Sequence, residues 1–239
     1  MKMLFVDAGN TSVKYRLTDE AGTIHRELRW FRKDAPPEAG TLSELQADEI
    51  WISDVQGAPI HLPTNENTFW VHKEMRFPFS FSKSEAAAYG IDRLCMISAL
   101  EHYYPQGFLL VCLGSAITYN VYHPEKGFLG GAISPGMQMR FSALHDYTGK
   151  LPLSNPTGTI HFPETQTLAA LRCGVVAGMT HEINGFTEAW VEDAPAGIQL
   201  ILSGGDTLYF EKRLKYPYFA VPDLVLMGLY RLAILNRNV

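Results

Sequence analysis

Two stretches of this chain read alike, and the likeness restricts its fold more than any other feature. Residues 4–17 carry an apolar run that delivers Asp7 into Ala8-Gly9-Asn10, then return with Val13, Tyr15 and Leu17 on one face. That pattern is a strand, a tight turn and a second strand. Residues 108–121 repeat it: with Gly114 laid on Gly9, Val111 falls on Val6, Cys112 on Asp7 and Ser115 on Asn10. The repeat predicts two related α/β half-domains, placed at 1–105 and 106–239, with the last helix able to pack back on the first.

The first turn can aim backbone N–H groups at an anion, because Gly9 tolerates close approach and positive φ. Asp7 could hold Mg²⁺ among phosphates, while Asn10, Thr11 and Lys14 offer donors or positive charge. A plain hairpin accounts for the same residues, so the rest of the chain has to decide.

Further strands are expected near 23–30, 50–55 and 68–72, and a short amphipathic piece near 42–47. Gly90-Ile91-Asp92-Arg93 enters a stripe of Leu94, Ile97 and Leu100, which puts Asp92 and Arg93 at a helix N-terminus. A carboxylate there can accept a proton from a substrate hydroxyl, and the guanidinium can bind an anion. The alternative is a helix-capping Asp beside a solvated Arg.

Glycine density at 127–136 signals close backbone approach, to a ligand or to another strand. A helix carrying Met137, Phe141 and Leu144 follows, then a loop over 151–163. Residues 164–190 read as one or two helices with Gly174 and Gly178 spaced for close packing. A third strand ends in Ser203-Gly204-Gly205-Asp206, where bare backbone leaves room for a ligand or makes only a βα turn. Residues 207–214 could be helical, 221–235 form an apolar helix, and 236–239 look frayed.

With 46% hydrophobic and 19% charged residues the chain is a folded, soluble type, and a net charge of −5 gives no general attraction to nucleic acid or anionic membrane. Cys95, Cys112 and Cys173 lack CxxC spacing, and the eight histidines lack HxxH spacing, which disfavours zinc and disulfides. No targeting signal is visible and no apolar run approaches ~18 residues, so a cytoplasmic protein is expected. P-loop, GxGxxG and GxSxG motifs are missing from the sequence.

In order and spacing, Asp7-Ala8-Gly9-Asn10-Thr11, Tyr89-Gly90-Ile91-Asp92-Arg93, Leu113-Gly114-Ser115-Ala116 with Thr118, Gly130–Gly136 and Ser203-Gly204-Gly205 resemble the type III pantothenate kinases, over nearly the whole chain. The resemblance implies two duplicated RNase-H-like domains of the actin/hexokinase-like superfold, a homodimer, and ATP-dependent phosphorylation of pantothenate, the entry to coenzyme A. It places ATP phosphates on Asp7, Ala8, Gly9, Asn10, Thr11, Ser12, Val13, Lys14 and Ser115, adds Gly204 and Gly205 to the nucleotide site, and gives Mg²⁺ to Asp7. It makes Asp92 the general base. Tyr89, Gly90, Ile91, Asp92, Arg93 and Thr167 line the pantothenate pocket.

Two departures from the family pattern stand out. Cys112 replaces an Asp associated with a monovalent cation, usually K⁺ (or NH₄⁺), and a thiol is a poor ligand for a hard cation. Lys83 stands where the family places a pocket tyrosine. Ser115 for the common Thr keeps the hydroxyl. The rival readings are a non-catalytic regulatory relative and a sugar or acetate kinase of the same superfold. Retention of both Asp7 and Asp92 argues against the first.

Overall fold

The computed structural model describes residues 1–63, 65–82, 89–193, 197–210 and 212–237, which leaves Lys83 outside the described residues. The chain divides into two compact units, one of residues 1–105, 126–128 and 223–239, the other of 106–125 and 129–222.

In the first unit β1 (Lys2–Ala8), β2 (Ser12–Asp19), β3 (Ile24–Phe31), β4 (Glu49–Asp54) and β5 (Thr68–Trp70) form a sheet ordered β3-β2-β1-β4-β5. β1 is antiparallel to β2 and parallel to β4. The period of two then sorts the side chains. Leu4, Val6, Val13, Tyr15 and Leu17 enter one core with Ile50 and Ile52. Met3, Phe5 and Trp51 enter another with Cys95 of α2 (Ile91–Leu100) and Leu226, Leu229 and Leu232 of α5 (Leu224–Asn236). The short helix α1 (Ala39–Ser43) precedes β4.

The second unit repeats the plan. Its sheet of β6 (Phe108–Leu113), β7 (Ala116–His123), β8 (Gly127–Gly130), β10 (Gln199–Ser203) and β11 (Tyr218–Ala220) is ordered β11-β10-β6-β7-β8, with β9 (Ile133–Pro135) also paired to β7. β6 is antiparallel to β7 and parallel to β10, as β1 is to β2 and β4. Helices α3 (Met137–Asp146) and α4 (Thr167–Asp193) cover a core of Val111, Ile117, Phe141, Val176 and Ile183. The second hairpin is one residue shorter at its turn: Asp7 faces Lys14, whereas Cys112 faces Thr118. Past the glycines, an ungapped overlay is therefore out of step by one.

Several local expectations change. The expected one or two helices are a single one, Thr167–Asp193, and a Cβ added to Gly174 or Gly178 meets nothing within 4 Å among the described residues, so neither serves close packing there. Only Thr207–Phe210 coils, as a 3₁₀ turn. α5 starts at Leu224, after Pro222 and Asp223, and Asn236 is not frayed: its amide accepts from Arg76 N and donates to Arg76 O, both at 3.0 Å. The glycine-rich 130–136 stretch approaches strand backbone rather than open space, since a Cβ on Gly131 would stand 1.9 Å from Tyr119 O.

An equally tight glycine lies in α5. A Cβ on Gly228 would lie 1.9 Å from Cys95 O, so α2 and α5 touch backbone to backbone. Overpacking such a contact costs about 1–3 kcal/mol or more. Gly228→Ala is expected to lower stability by about 3 kcal/mol, read as a lower midpoint in urea at unchanged slope.

Candidate functional site

The side chains with chemistry in the first unit gather at the C-terminal end of β1. Met3, Phe5 and Asp7 alternate onto the face covered by α2 and α5, and the pairing brings Lys14 of β2 and Ser53 of β4 level with Asp7. Burial pushes the Asp7 carboxyl up to about 6; Lys14 and Arg29 oppose the rise and the charges of Asp92 and Asp223 add to it. Asp7 and Asp92 thus share one field, although they lie on different elements.

Asp92 is the second residue of α2, after the N-cap Gly90. Its carboxylate folds back to accept the N–H groups of Arg93 and of Asp92 itself. A Cβ at residue 90 would sit 2.4 Å from Asp92 Oδ1, so a larger residue there would displace that carboxylate. Burial raises the Asp92 carboxyl above the usual range and those N–H bonds and Arg93 hold the rise back.

Arg93 is only 6% exposed, which corrects the alternative of a solvated guanidinium. It lies 5.5 Å over the Phe128 ring and 6.0 Å over Tyr89, and those two rings are 4.9 Å apart. Phe128 reaches this place because its N–H donates to Ser80 O at 2.9 Å, beside a cluster of Phe77, Phe79 and Phe81. Burial lowers the Arg93 pKa, with Asp92 and Tyr89 acting against it.

The turn after Asp7 is braced rather than loose. Gly9 N donates to Ser12 O, Arg32 N to Thr11 O at 3.0 Å, and Arg32 Nε to Gly9 O at 2.9 Å. Gly9 does not adopt the positive φ expected for it; a Cβ would meet Ser12 O at 3.3 Å, so close approach alone favours glycine. Ala8, Ser12 and Val13 are buried and could offer a ligand only backbone, whereas Asn10 and Thr11 are exposed.

Lys14 Nζ donates to Asp223 at 2.8 Å, and Arg16 Nη2 to the same carboxylate at 3.3 Å. Asp223 sits at the N-cap of α5 with φ 52° and makes no cap bond, so its carboxylate reaches the strand instead. Sequence reasoning missed Asp223, Arg29, Arg32 and Ser53. Only Pro222-Asp223 ahead of an apolar helix carried a local signal, and that signal reads as a cap.

These groups fit a nucleotide and a hard cation. Asp7 makes no ion pair with a described residue, the buried Ser53 lies level with it, and Arg32 Nη2 beside the turn has no hydrogen-bond partner among the described residues. Among the described residues no three His, Cys, Asp or Glu side chains form a metal cage. Magnesium held by one carboxylate plus phosphates and water needs none.

In the second unit the predicted residues split into two places. The Gly114-Ser115 turn lies against Gly136, whose N–H donates to Ser115 O at 3.2 Å. Gly204 has φ 97°, and a Cβ there would be 2.2 Å from Leu113 O. Asp206, also missed, donates its N–H to Leu113 O and has its carboxyl raised by burial. Ser115 and Gly205 are exposed beside this backbone nest. Cys112 is partly buried, level with Ser203 and Thr118. Thr167 begins α4 and instead lines a cleft of about 400 Å³ with Leu144, Leu151 and Leu171.

The family model for type III pantothenate kinases matches residues 3–189. The type III pantothenate kinase of Cytophaga hutchinsonii is 31% identical over 242 residues, covering 99% of each chain. Those of Flavobacterium johnsoniae and Bacteroides fragilis are each 35% identical, covering 95% and 98% of each chain. Among solved structures, the activator of 2-hydroxyisocaproyl-CoA dehydratase from Clostridium difficile with bound ADPNP aligns with TM-score 0.56 at 9% identity, over 100% of this chain and 95% of its own. A Sinorhizobium meliloti protein provisionally named 2-dehydro-3-deoxygalactonokinase aligns with TM-score 0.57 at 14% identity, over 98% of each. The fold is that of the actin/hexokinase-like kinases.

Proposed function

The chain belongs to the type III pantothenate kinases and phosphorylates pantothenate, the first step of coenzyme A biosynthesis, and from that premise we propose which of its residues do the work. Asp92 is the general base that takes the proton of the primary hydroxyl of pantothenate. The observation that carries this assignment is its place: a carboxylate on the first turn of a helix, raised by burial and therefore more basic than a solvated one. Arg93, held over Tyr89 and Phe128, binds the substrate's carboxylate, and Tyr89, Gly90 and Ile91 line that pocket.

ATP supplies the phosphoryl group, and Mg²⁺ when bound neutralises charge developing on its phosphates. Asp7 would hold the metal and the backbone of residues 8–13 the phosphates; in the second unit the nucleotide-binding residues are Ser115, Gly204 and Gly205. Lys14, drawn to Asp223, contributes its field to Asp7 rather than a direct phosphate bond. Phosphoryl transfer depends mostly on positioning and charge stabilisation, which such a set provides. The protein acts as a cytoplasmic homodimer; no helix of the described residues is long and apolar enough to cross a membrane.

Purified protein given ATP, Mg²⁺ and pantothenate is expected to form phosphopantothenate and to leave acetate and sugars untouched. Turnover of a sugar alone, or nucleotide binding without any turnover, would sink this reading. Cys112 adds a second expectation: activity does not depend strictly on K⁺ or NH₄⁺, because a thiol gives a hard cation little. Rates measured in sodium and in potassium salts decide it.

A further inference from the structure

A cavity of the first unit shares only Arg16 with the groups above. It encloses about 800 Å³ between the β2–β3 edge and α5, with Ala99 and Tyr103 closing one end. Thr18 on its wall is four residues beyond Lys14 along β2, about 13 Å from the site at a strand's rise.

Its lining combines an apolar floor with cationic groups. Ile24, Leu226, Met227 and Ile234 supply the apolar surface, and Ile24 and Ile234 remain 49% and 44% exposed. Arg76 and Arg231 supply charge, beside an Arg16 already paired with Glu27 and Asp223, and the one acid of the lining, Glu20, is paired with Arg237 at 3.1 Å. Arg76 is fixed through its backbone to Asn236 on α5, while its guanidinium has no ion-pair partner among the described residues.

Two polar atoms of the wall are also unsatisfied. Thr18, 3% exposed, has an Oγ1 with no hydrogen-bond partner among the described residues, and Arg231 Nε has none although its Nη2 bonds Glu101 at 3.1 Å. A volume of this size, apolar lining and a few converging donors are the general marks of a small-molecule site.

We propose that this cavity binds an anionic amphiphile, a single apolar chain ending in a carboxylate or phosphate, with its head on Arg76 and Arg231 and its chain along α5. Decanoate and decyl phosphate test it against decanol, titrated into the full chain by calorimetry. Saturable one-to-one binding is expected for the anions, at least about tenfold tighter than for decanol, since a hydrogen bond to a charged group carries that much. Whichever head binds more tightly identifies the natural class.

Arg76→Met with Arg231→Met should bring the anions down to the level of decanol. Ile234→Trp, which fills the groove from its exposed rim, should weaken binding about tenfold while pantothenate turnover stays unchanged. Equal affinity for decanol and decanoate, no binding of either anion to a chain that turns over pantothenate, or anion binding indifferent to Ile234→Trp overturns the proposal. The readout is binding, so it stands or falls apart from the kinase assignment.

Discussion

Asp92→Asn is expected to lower kcat for phosphopantothenate formation by about a thousandfold, with KM for ATP unchanged and KM for pantothenate changed by no more than a few-fold. The amide keeps the shape and can still accept the N–H bonds of Arg93 and residue 92, so α2 keeps its start. It loses the capacity to take a proton. General bases contribute about 10² to 10⁴ in rate, and a base raised by burial lies toward the upper part of that range. Steady-state kinetics with far-ultraviolet circular dichroism as a folding control measure it. A variant that keeps a tenth of the wild-type kcat would remove Asp92 from the role of base.

Asp7→Asn separates stability from activity. The Asp7 carboxyl is pushed from 3.8 to about 6, chiefly by burial, so the native state disfavours its charged form by up to about 3 kcal/mol. The sign follows from the raised value. The carboxyl weakens the fold least below its unfolded pKa, and the cost grows as pH rises through 4 and is complete above about 6. An amide carries no such charge.

Without nucleotide or metal, Asp7→Asn should melt several degrees above the wild type at pH 8 and together with it below pH 4; about 2–4 °C accompany each kcal/mol in a chain of this size. Turnover should fall at least about 100-fold, the effect of removing a group aimed at transition-state charge. In the wild type, kcat/KM should fall as pH drops through about 6, as Asp7, the proposed metal ligand, protonates. Calorimetry at both pH values with a pH–rate profile tests all three. Equal melting temperatures at pH 8 would show that the Asp7 charge is not strained in the free protein.

Local chemistry made much of this protein readable. The two hairpins, the strand ends and the helix behind Gly90 follow from period and glycine placement, and the repeat announced two units of one plan. The same locality explains the errors. Asn236 looked frayed at the end of the chain, yet it is held by Arg76 from 160 residues away. Gly174 and Gly178 matched a packing pattern that no neighbour among the described residues completes. The one-residue shortening of the second turn could not be seen until Thr118 was found opposite Cys112.

Sequence alone determined the two hairpins, the glycine turns and the helix behind Gly90, because hydrogen bonding in turns and side-chain alternation act over a few residues. Tertiary structure alone decided what those residues feel. Burial set the basicity of Asp7 and Asp92, and a left-handed Asp223, 209 residues away, took Lys14. Phe128, carried into the first unit, built the platform under Arg93. Desolvation and long-range charge depend on everything packed around a group, and no window of sequence contains that.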